Sequence, residues 1–301
     1  MMGTLAPVVV GVDGSPSSLT AADWAADEAA RLALTLRIVY ASLWERYEGA
    51  VPPTLNRPSG QVLAESIVAA GAERVRRRNP GLQVTTDIAA EDAASALLRE
   101  GQAADAVVVG SRGRGGLADL LLGSVVLVVA ARSSGPLVVV RGDRHALEGR
   151  NGRVLLGIGP YDVDSPAVRF AFREAAARDA ELDIVSTWRR PLHEPVDHMA
   201  SPGDVPRDRE ERAAALVEEA VEVAAREHPQ VRLRRTTLEG TAHKVLTERS
   251  AAADVLVVGA RRPDSLIGRE LGRVAHRALH HAHCPVAVVP QHHHAPVRDK
   301  S

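Results

Sequence analysis

Residues 107–116 read Val107-Val108-Val109-Gly110-Ser111-Arg112-Gly113-Arg114-Gly115-Gly116, and the chain continues to Leu122-Gly123-Ser124. A short β-branched run ends on a glycine, the loop turns through further glycines, and an aliphatic stretch from Ser124 to Ala131 follows. An apolar run bounded by glycine reads as a buried strand, and the stretch after the loop reads as a helix. A tight turn needing positive φ accounts for one or two glycines. Five glycines within fourteen residues exceed that need. Bare backbone N–H groups leading into a helix N-terminus suit phosphate oxygens, and Ser124 adds a hydroxyl.

The same alternation extends outward in both directions. Val8 to Asp13 forms an apolar run that stops at Gly14-Ser15-Pro16, where Ser15 or Ser17 can cap a helix. Ala21, Ala25, Ala29 and Leu32 recur at helical spacing. Leu36 to Ala41 is the second strand, and a loop with Pro52, Pro53 and Pro58 leads to a helix from Gln61 to Arg78. Val84 to Ile88, a short helix from Ala93 to Glu100, Ala106 to Gly110 and Pro136 to Arg141 complete the set. In open α/β sheets ligands sit beyond the carboxyl ends of strands where strand order switches. Asp13 and Gly110 both lie at such ends. A turn residue or helix cap is the plainer reading of Asp13.

The unit occurs twice. Val10-Gly11-Val12-Asp13 aligns with Leu156-Gly157-Ile158-Gly159, and Glu28-Ala29-Ala30 with Glu174-Ala175-Ala176, both at an offset of 146 residues. Asp105 aligns with Asp254, Gly110 with Gly259, Gly123 with Gly272 and Pro136 with Pro285, at 149. A net insertion of three residues in the long loop or second helix of the second copy explains the change. A period this long marks domain duplication rather than a solenoid. The expected domains are residues 1–142 and 152–291, with a glycine-flanked polar linker between them and a His-rich tail over 292–301. In the second copy Trp188 to Pro206 reads as a long loop, and helices are expected over Arg207 to Glu227 and Glu270 to His281.

Composition limits the function classes. The chain has 301 residues, 45% hydrophobic and 25% charged, which suits two globular domains. Aromatics are only 3%, so the cores must be aliphatic. Thirty-seven basic and 38 acidic residues leave a formal charge of −1, so no nucleic-acid footprint is expected. There is no signal-like N-terminus and no membrane-length apolar run. The single Cys284 fits a reducing compartment, so a cytoplasmic protein is expected, with neither nucleic acid nor membrane as partner. His280, His281, His283, His292, His293 and His294 surround Cys284 near the C-terminus. Cys284-Pro285 opens an expected buried strand, so no metal site is assigned.

The pattern Gly110-x2-Gly113-x9-Gly123-Ser124, with Val10-Gly11-Val12-Asp13-Gly14-Ser15 before it, resembles the ATP-binding signature of the universal stress protein family. The resemblance covers the whole chain as a tandem arrangement. It implies two tandem open parallel five-stranded sheets flanked by helices, Rossmann-like, each with strand order 3-2-1-4-5. It also implies ATP as ligand, with magnesium as an optional companion of its phosphates. Asp13 then contacts the adenosine moiety and Ala41 lines the adenine pocket. Gly110, Arg112, Gly113, Gly123, Ser124 and Val125 surround ribose and phosphates, and Arg112 and Arg114 are within reach of the phosphates or else are solvated loop charges. The last strand of each copy is implied to pair with the other inside the chain, and homodimers are common among tandem relatives.

The second copy departs from the signature. Gly159 stands where Asp13 stood, Arg262 replaces the second glycine, and Arg273 replaces the serine. One nucleotide per chain is therefore expected, the second copy serving packing or a different anion. No G-x-x-x-x-G-K-[ST], G-x-S-x-G or H-E-x-x-H motif occurs, and the loop lacks a lysine to engage a transferring phosphoryl group. A non-catalytic stress-response regulator is the expectation. The alternatives are a weak ATPase on the same fold and a nucleotide-free interaction module.

Overall fold

The computed structural model describes residues 6–43, 60–113, 122–160, 162–189, 204–261 and 271–291. The proline loops expected near Pro52–Pro58 and Pro191–Pro206, the loop residues Arg114, Gly115, Gly116 and Arg262, the helix start at Glu270 and the tail over 292–301 lie wholly or mostly outside them.

The first half runs β1 (Val8–Gly11), α1 (Pro16–Arg31), β2 (Leu36–Ala41), α2 (Gly60–Arg78), β3 (Val84–Ala89), α3 (Ala93–Glu100), β4 (Ala106–Gly110), α4 (Ser124–Arg132) and β5 (Leu137–Val140). After a short α5 (Arg144–Leu147), the second half repeats the order. It comprises β6 (Arg153–Ile158), α6 (Pro166–Arg178), β7 (Glu181–Trp188), α7 (Asp204–Glu227), β8 (Leu233–Glu239), α8 (Ala242–Arg249), β9 (Val255–Arg261), α9 (Arg273–His281) and β10 (Val286–Gln291). A 3-10 turn at Ser250–Ala252 follows α8.

One ten-stranded sheet carries all of this, in the order β3-β2-β1-β4-β5-β10-β9-β6-β7-β8. Each half has the expected 3-2-1-4-5 order and is parallel within itself. The two meet through antiparallel pairing of β5 with β10, where Val139 faces Val286 and Val138 faces Ala287. The bare apolar edges that each half would otherwise expose cover one another. Both repeat offsets are visible in the strand registers: Leu36 pairs with Val84, whereas Leu182 pairs with Leu233. The net insertion therefore falls between β7 and β8.

Helices α1, α2, α6 and α7 cover one face of the sheet, and α3, α4, α8 and α9 the other. Small side chains set this packing. Ala21, Ala22, Ala25, Ala26 and Ala29 are fully buried along α1, bringing the helix close to a Val-rich sheet. Ser15 starts α1 by accepting the Ser18 N–H, with Pro16 in the first turn. Ser165 and Pro166 do the same for α6.

The segment between the halves is more structured than a polar linker. Gly142 has φ +102°, and the Asp143 carboxylate then caps α5 by accepting the Ala146 N–H at 2.9 Å. Ala146 is buried in the shared core. A four-residue helix carries too little periodicity to be read from sequence.

Where the halves pack, α1 and α6 bring charged groups into the interior. Glu28 and Glu174, equivalent residues of the two copies, both contact Arg178, and all three side chains are 5% exposed or less. Arg31 adds a 2.6 Å bond to Glu28. The Arg178 guanidinium also lies over the Trp24 ring, 5.5 Å from its centroid. Beside them Arg173 binds Asp105 through two bonds of 2.6 and 2.8 Å, crossing from one half to the other.

Burial, and then the neighbouring Glu28 carboxylate, push the Glu174 pKa up to about 8. The folded chain therefore holds a proton there that the unfolded chain releases in the ordinary glutamate range. Glu28 Oε1, buried in the same cluster, has no hydrogen-bond partner among the described residues. The sign follows directly: this contribution is complete at acid pH and is lost as pH rises from the ordinary glutamate value through about 8. Glu174→Gln mimics the protonated group. Its denaturation midpoint is expected to exceed wild type at pH 8.5 and to match it near pH 5, as chemical denaturation at the two pH values will measure.

Candidate functional site

The strand order places β1 and β4 side by side, with the chain leaving them toward opposite edges of the sheet. The carboxyl ends of these strands open into a cavity of about 400 Å³, within the range of small-ligand pockets. Asp13, Ala41, Gly110, Arg112, Gly113, Gly123, Ser124 and Val125 all line it. Every residue assigned to the site from sequence is thus brought to one cavity.

Asp13 is oriented by its own turn. Its N–H donates to the Ser18 hydroxyl at 3.2 Å, and its Oδ1 accepts the Ser15 N–H at 2.9 Å. The plainer reading of Asp13 as a turn residue is therefore also correct, since one carboxylate oxygen closes an Asx turn. The other oxygen, Oδ2, points toward the glycine loop: a Cβ placed on Gly113 would lie 2.8 Å from it.

Gly110 is pinned from below, where a Cβ would meet the Ser17 carbonyl oxygen at 2.6 Å. The Arg112 N–H donates to the Ser17 hydroxyl at 3.3 Å. Gly110, Gly113 and Gly123 all have ordinary negative or extended φ, as the positive-φ glycines among the described residues are Gly14, Gly142, Gly149, Gly152 and Gly240. Close approach, not left-handed backbone, is what requires glycine at 110 and 113. Gly123 differs. It is the N-cap of α4, its N–H donates to the Ser111 carbonyl, and the nearest atom to an added Cβ is 3.8 Å away.

The cavity has two ends of different chemistry. Val39, Ala41, Ala93, Leu97, Val109 and Val126 form an apolar slot, suited to a flat ring system. Asp13, the glycine loop and the first turn of α4 form a polar end. The cap of α4 supplies no side-chain oxygen, so the first-turn N–H groups face the site with the positive end of the helix dipole. The cradle that a Cβ would fill at Gly113 and the uncapped helix start both fit a ribose followed by phosphates.

Apart from Ala41, the lining of the apolar slot was missed in sequence. Leu97 approaches Gly11, where a Cβ would lie 3.1 Å from the leucine side chain. Strand alternation offered one signal, since Val39 lies two residues before Ala41 on the same face. No local pattern assigns Ala93 or Leu97, because α3 reaches the site through tertiary packing.

At the matching place in the second half the described residues are arranged differently. Asp162 accepts the Gly159 N–H at 2.6 Å and the Gln291 side-chain amide at 3.1 Å. The Gln291 amide lies over Gly259, inside the space a Cβ would need. Side chains of this half therefore bridge the ends of β6 and β10 over β9. Asp162 stands three residues beyond the Asp13 equivalent, so aligning the repeats does not reveal it.

The universal stress protein family model matches residues 5–141 and again 150–290. The chain belongs to the universal stress protein family. A universal stress protein of Mycolicibacterium smegmatis is 29% identical over 302 residues, covering 94% of this chain and 96% of that one. One from Mycobacterium tuberculosis is 30% identical over 307 residues, covering 94% and 97%. Among solved structures, a universal stress protein from Archaeoglobus fulgidus superposes with a TM-score of 0.65 at 18% identity, over 94% of this chain and 98% of that one. That likeness concerns the fold.

The histidines near the C-terminus build no metal centre among the described residues, where no group of three or more His, Cys, Asp and Glu side chains is placed to hold an ion. The rings of His276 and His280 lie 4.5 Å apart at a tilt of 33°. Cys284 is fully buried two residues before β10, and burial pushes its thiol pKa upward. No described helix is long and apolar enough to cross a membrane.

Proposed function

We propose that the first half of the chain holds one adenine nucleotide, ATP with or without magnesium, and that the protein acts as a nucleotide-responsive regulator rather than an enzyme. The observation that carries this reading is the two-ended cavity, in which Gly113 yields its side-chain space to Asp13. The adenine ring is assigned to the slot beside Ala41 and Leu97, the ribose to Asp13 Oδ2, and the phosphates to Arg112 and the start of α4. The bridge of Asp162 and Gln291 supports leaving the second half without nucleotide.

The chemistry of the lining favours binding over turnover. Among the described lining residues, Asp13 is the one carboxylate, and none is a lysine or histidine. Asp13 is committed to its turn, which leaves no evident base to activate water. Purified protein incubated with ATP is expected to return it intact, as chromatography of the released nucleotide will show. Asp13→Ala is expected to weaken ATP binding about 10- to 100-fold, the value of a charge-assisted hydrogen bond. Steady phosphate release by wild type, lost in Asp13→Ala, would move the reading to a weak ATPase. Absence of ATP binding in calorimetry would leave a nucleotide-free interaction module.

A further inference from the structure

A second cavity of about 300 Å³ lies beside the nucleotide crevice, where α1, the end of β5 and the last turn of α9 meet. Ser17, Thr20, Arg112, Arg141, Leu279 and His280 line it, and Arg112 also borders the crevice. No carboxylate is among its described lining residues. Arg141 donates one NH group to the Leu279 carbonyl, which fixes the guanidinium at the C-terminal end of α9. Its Nε has no hydrogen-bond partner, and neither has His280 Nε2, although both atoms are buried.

Unsatisfied buried polar atoms are rare and costly in folded proteins. Here two of them line one cavity in a cationic setting. Burial lowers the Arg141 pKa. Burial, followed by His276, His281, Arg141 and Arg277, lowers that of His280. Neither group has a carboxylate beside it among the described lining residues.

A cavity at the related place in the other half shows the contrast. Arg169 and Arg173 line it, but Arg169 is paired with Asp164 and Arg173 with Asp105. Pro290 stands there at the position equivalent to Arg141. Arg173 Nε is likewise buried without a hydrogen-bond partner, but both guanidinium groups there face a carboxylate, whereas none is among the described residues lining the Arg141 cavity.

We propose that the Arg141–His280 cavity is a second binding site, for a phosphate-type oxyanion such as inorganic phosphate or the phosphate of a small metabolite. The anion would take charge-assisted hydrogen bonds from Arg141 and His280 and a hydroxyl hydrogen bond from Ser17, while the Thr20 hydroxyl stays on the Pro16 carbonyl. This site is independent of the nucleotide in the crevice, and its test does not require that nucleotide to bind.

Calorimetric titration of the full chain with inorganic phosphate, in a buffer free of other oxyanions, tests the assignment. One saturable phosphate per chain is expected, persisting in the presence of excess ATP. Arg141→Gln is expected to weaken binding at least about tenfold, the loss of one charge-assisted hydrogen bond. Thr20→Glu, which places a carboxylate at the cavity without disturbing the α9 contact, is expected to abolish it. No saturable binding by wild type, or unchanged binding in a folded Thr20→Glu protein, would overturn the proposal. Complete loss of phosphate binding when ATP is added would assign the cavity to the nucleotide's own phosphates and equally overturn an independent site.

Discussion

Replacing Arg178 with methionine is expected to destabilise the chain by about 3–5 kcal/mol, the cost of breaking a buried ion pair from one side. Arg178 is the cation between Glu28 and Glu174 at the junction of the halves. Without it Glu28 keeps Arg31, but Glu174 is left with Arg173 at 3.8 Å, and Arg173 is already committed to Asp105. Two carboxyl groups then face each other in the interior. The lost stacking on Trp24 adds to the cost. Chemical denaturation is expected to show an earlier midpoint, with α1 and α6 losing protection from hydrogen exchange first. If charge pairing is the cause, adding Glu28→Leu and Glu174→Leu to Arg178→Met should recover most of the loss, because a well-packed apolar replacement of a buried ionic cluster is often neutral or stabilising. A loss that persists in the triple variant would point to packing alone.

The second large effect is expected on ligand binding. Gly113→Val directs a branched side chain at Asp13 Oδ2, which lies 2.8 Å from the position of the Cβ alone. Asp13 cannot easily withdraw, because its other oxygen holds the Ser15 N–H. Either the loop lifts or the carboxylate turns away, and both outcomes separate the ribose contact from the phosphate contact. ATP affinity is expected to fall about 100-fold or more, combining the strain of overpacking with a lost charge-assisted bond. The fold should be nearly unaffected, because Gly113 lies beyond the end of β4. Gly123→Ala makes a useful counterpart. The space at Gly123 admits a methyl group, so that variant should bind ATP within a few-fold of wild type.

Much of the architecture was legible because the strands are short aliphatic runs punctuated by glycine and proline, and because the motif occurs twice. Comparing the copies identified the strands, their order through the family resemblance, and the two edge strands available for pairing. The interior charges were not legible. Glu28 and Glu174 were visible only as equivalent positions in Ala-rich helices, and nothing local separates a glutamate facing water from one facing its twin across a pseudo-twofold junction. The site was legible along the loop, where glycine spacing reports close approach directly. It was not legible where α3 supplies Leu97, or where Asp162 and Gln291 bridge the second half, since those contacts join residues far apart in sequence.

The asymmetry between the halves is the central claim, and binding stoichiometry measures it most directly. Titration of nucleotide-free full chain with ATP, by calorimetry on wild type and Gly113→Val in parallel, should give one site per chain in wild type. That site should be lost or weakened about 100-fold in the variant. Two equivalent sites in wild type, or one site unchanged in Gly113→Val, would contradict the account and move the nucleotide to the second half.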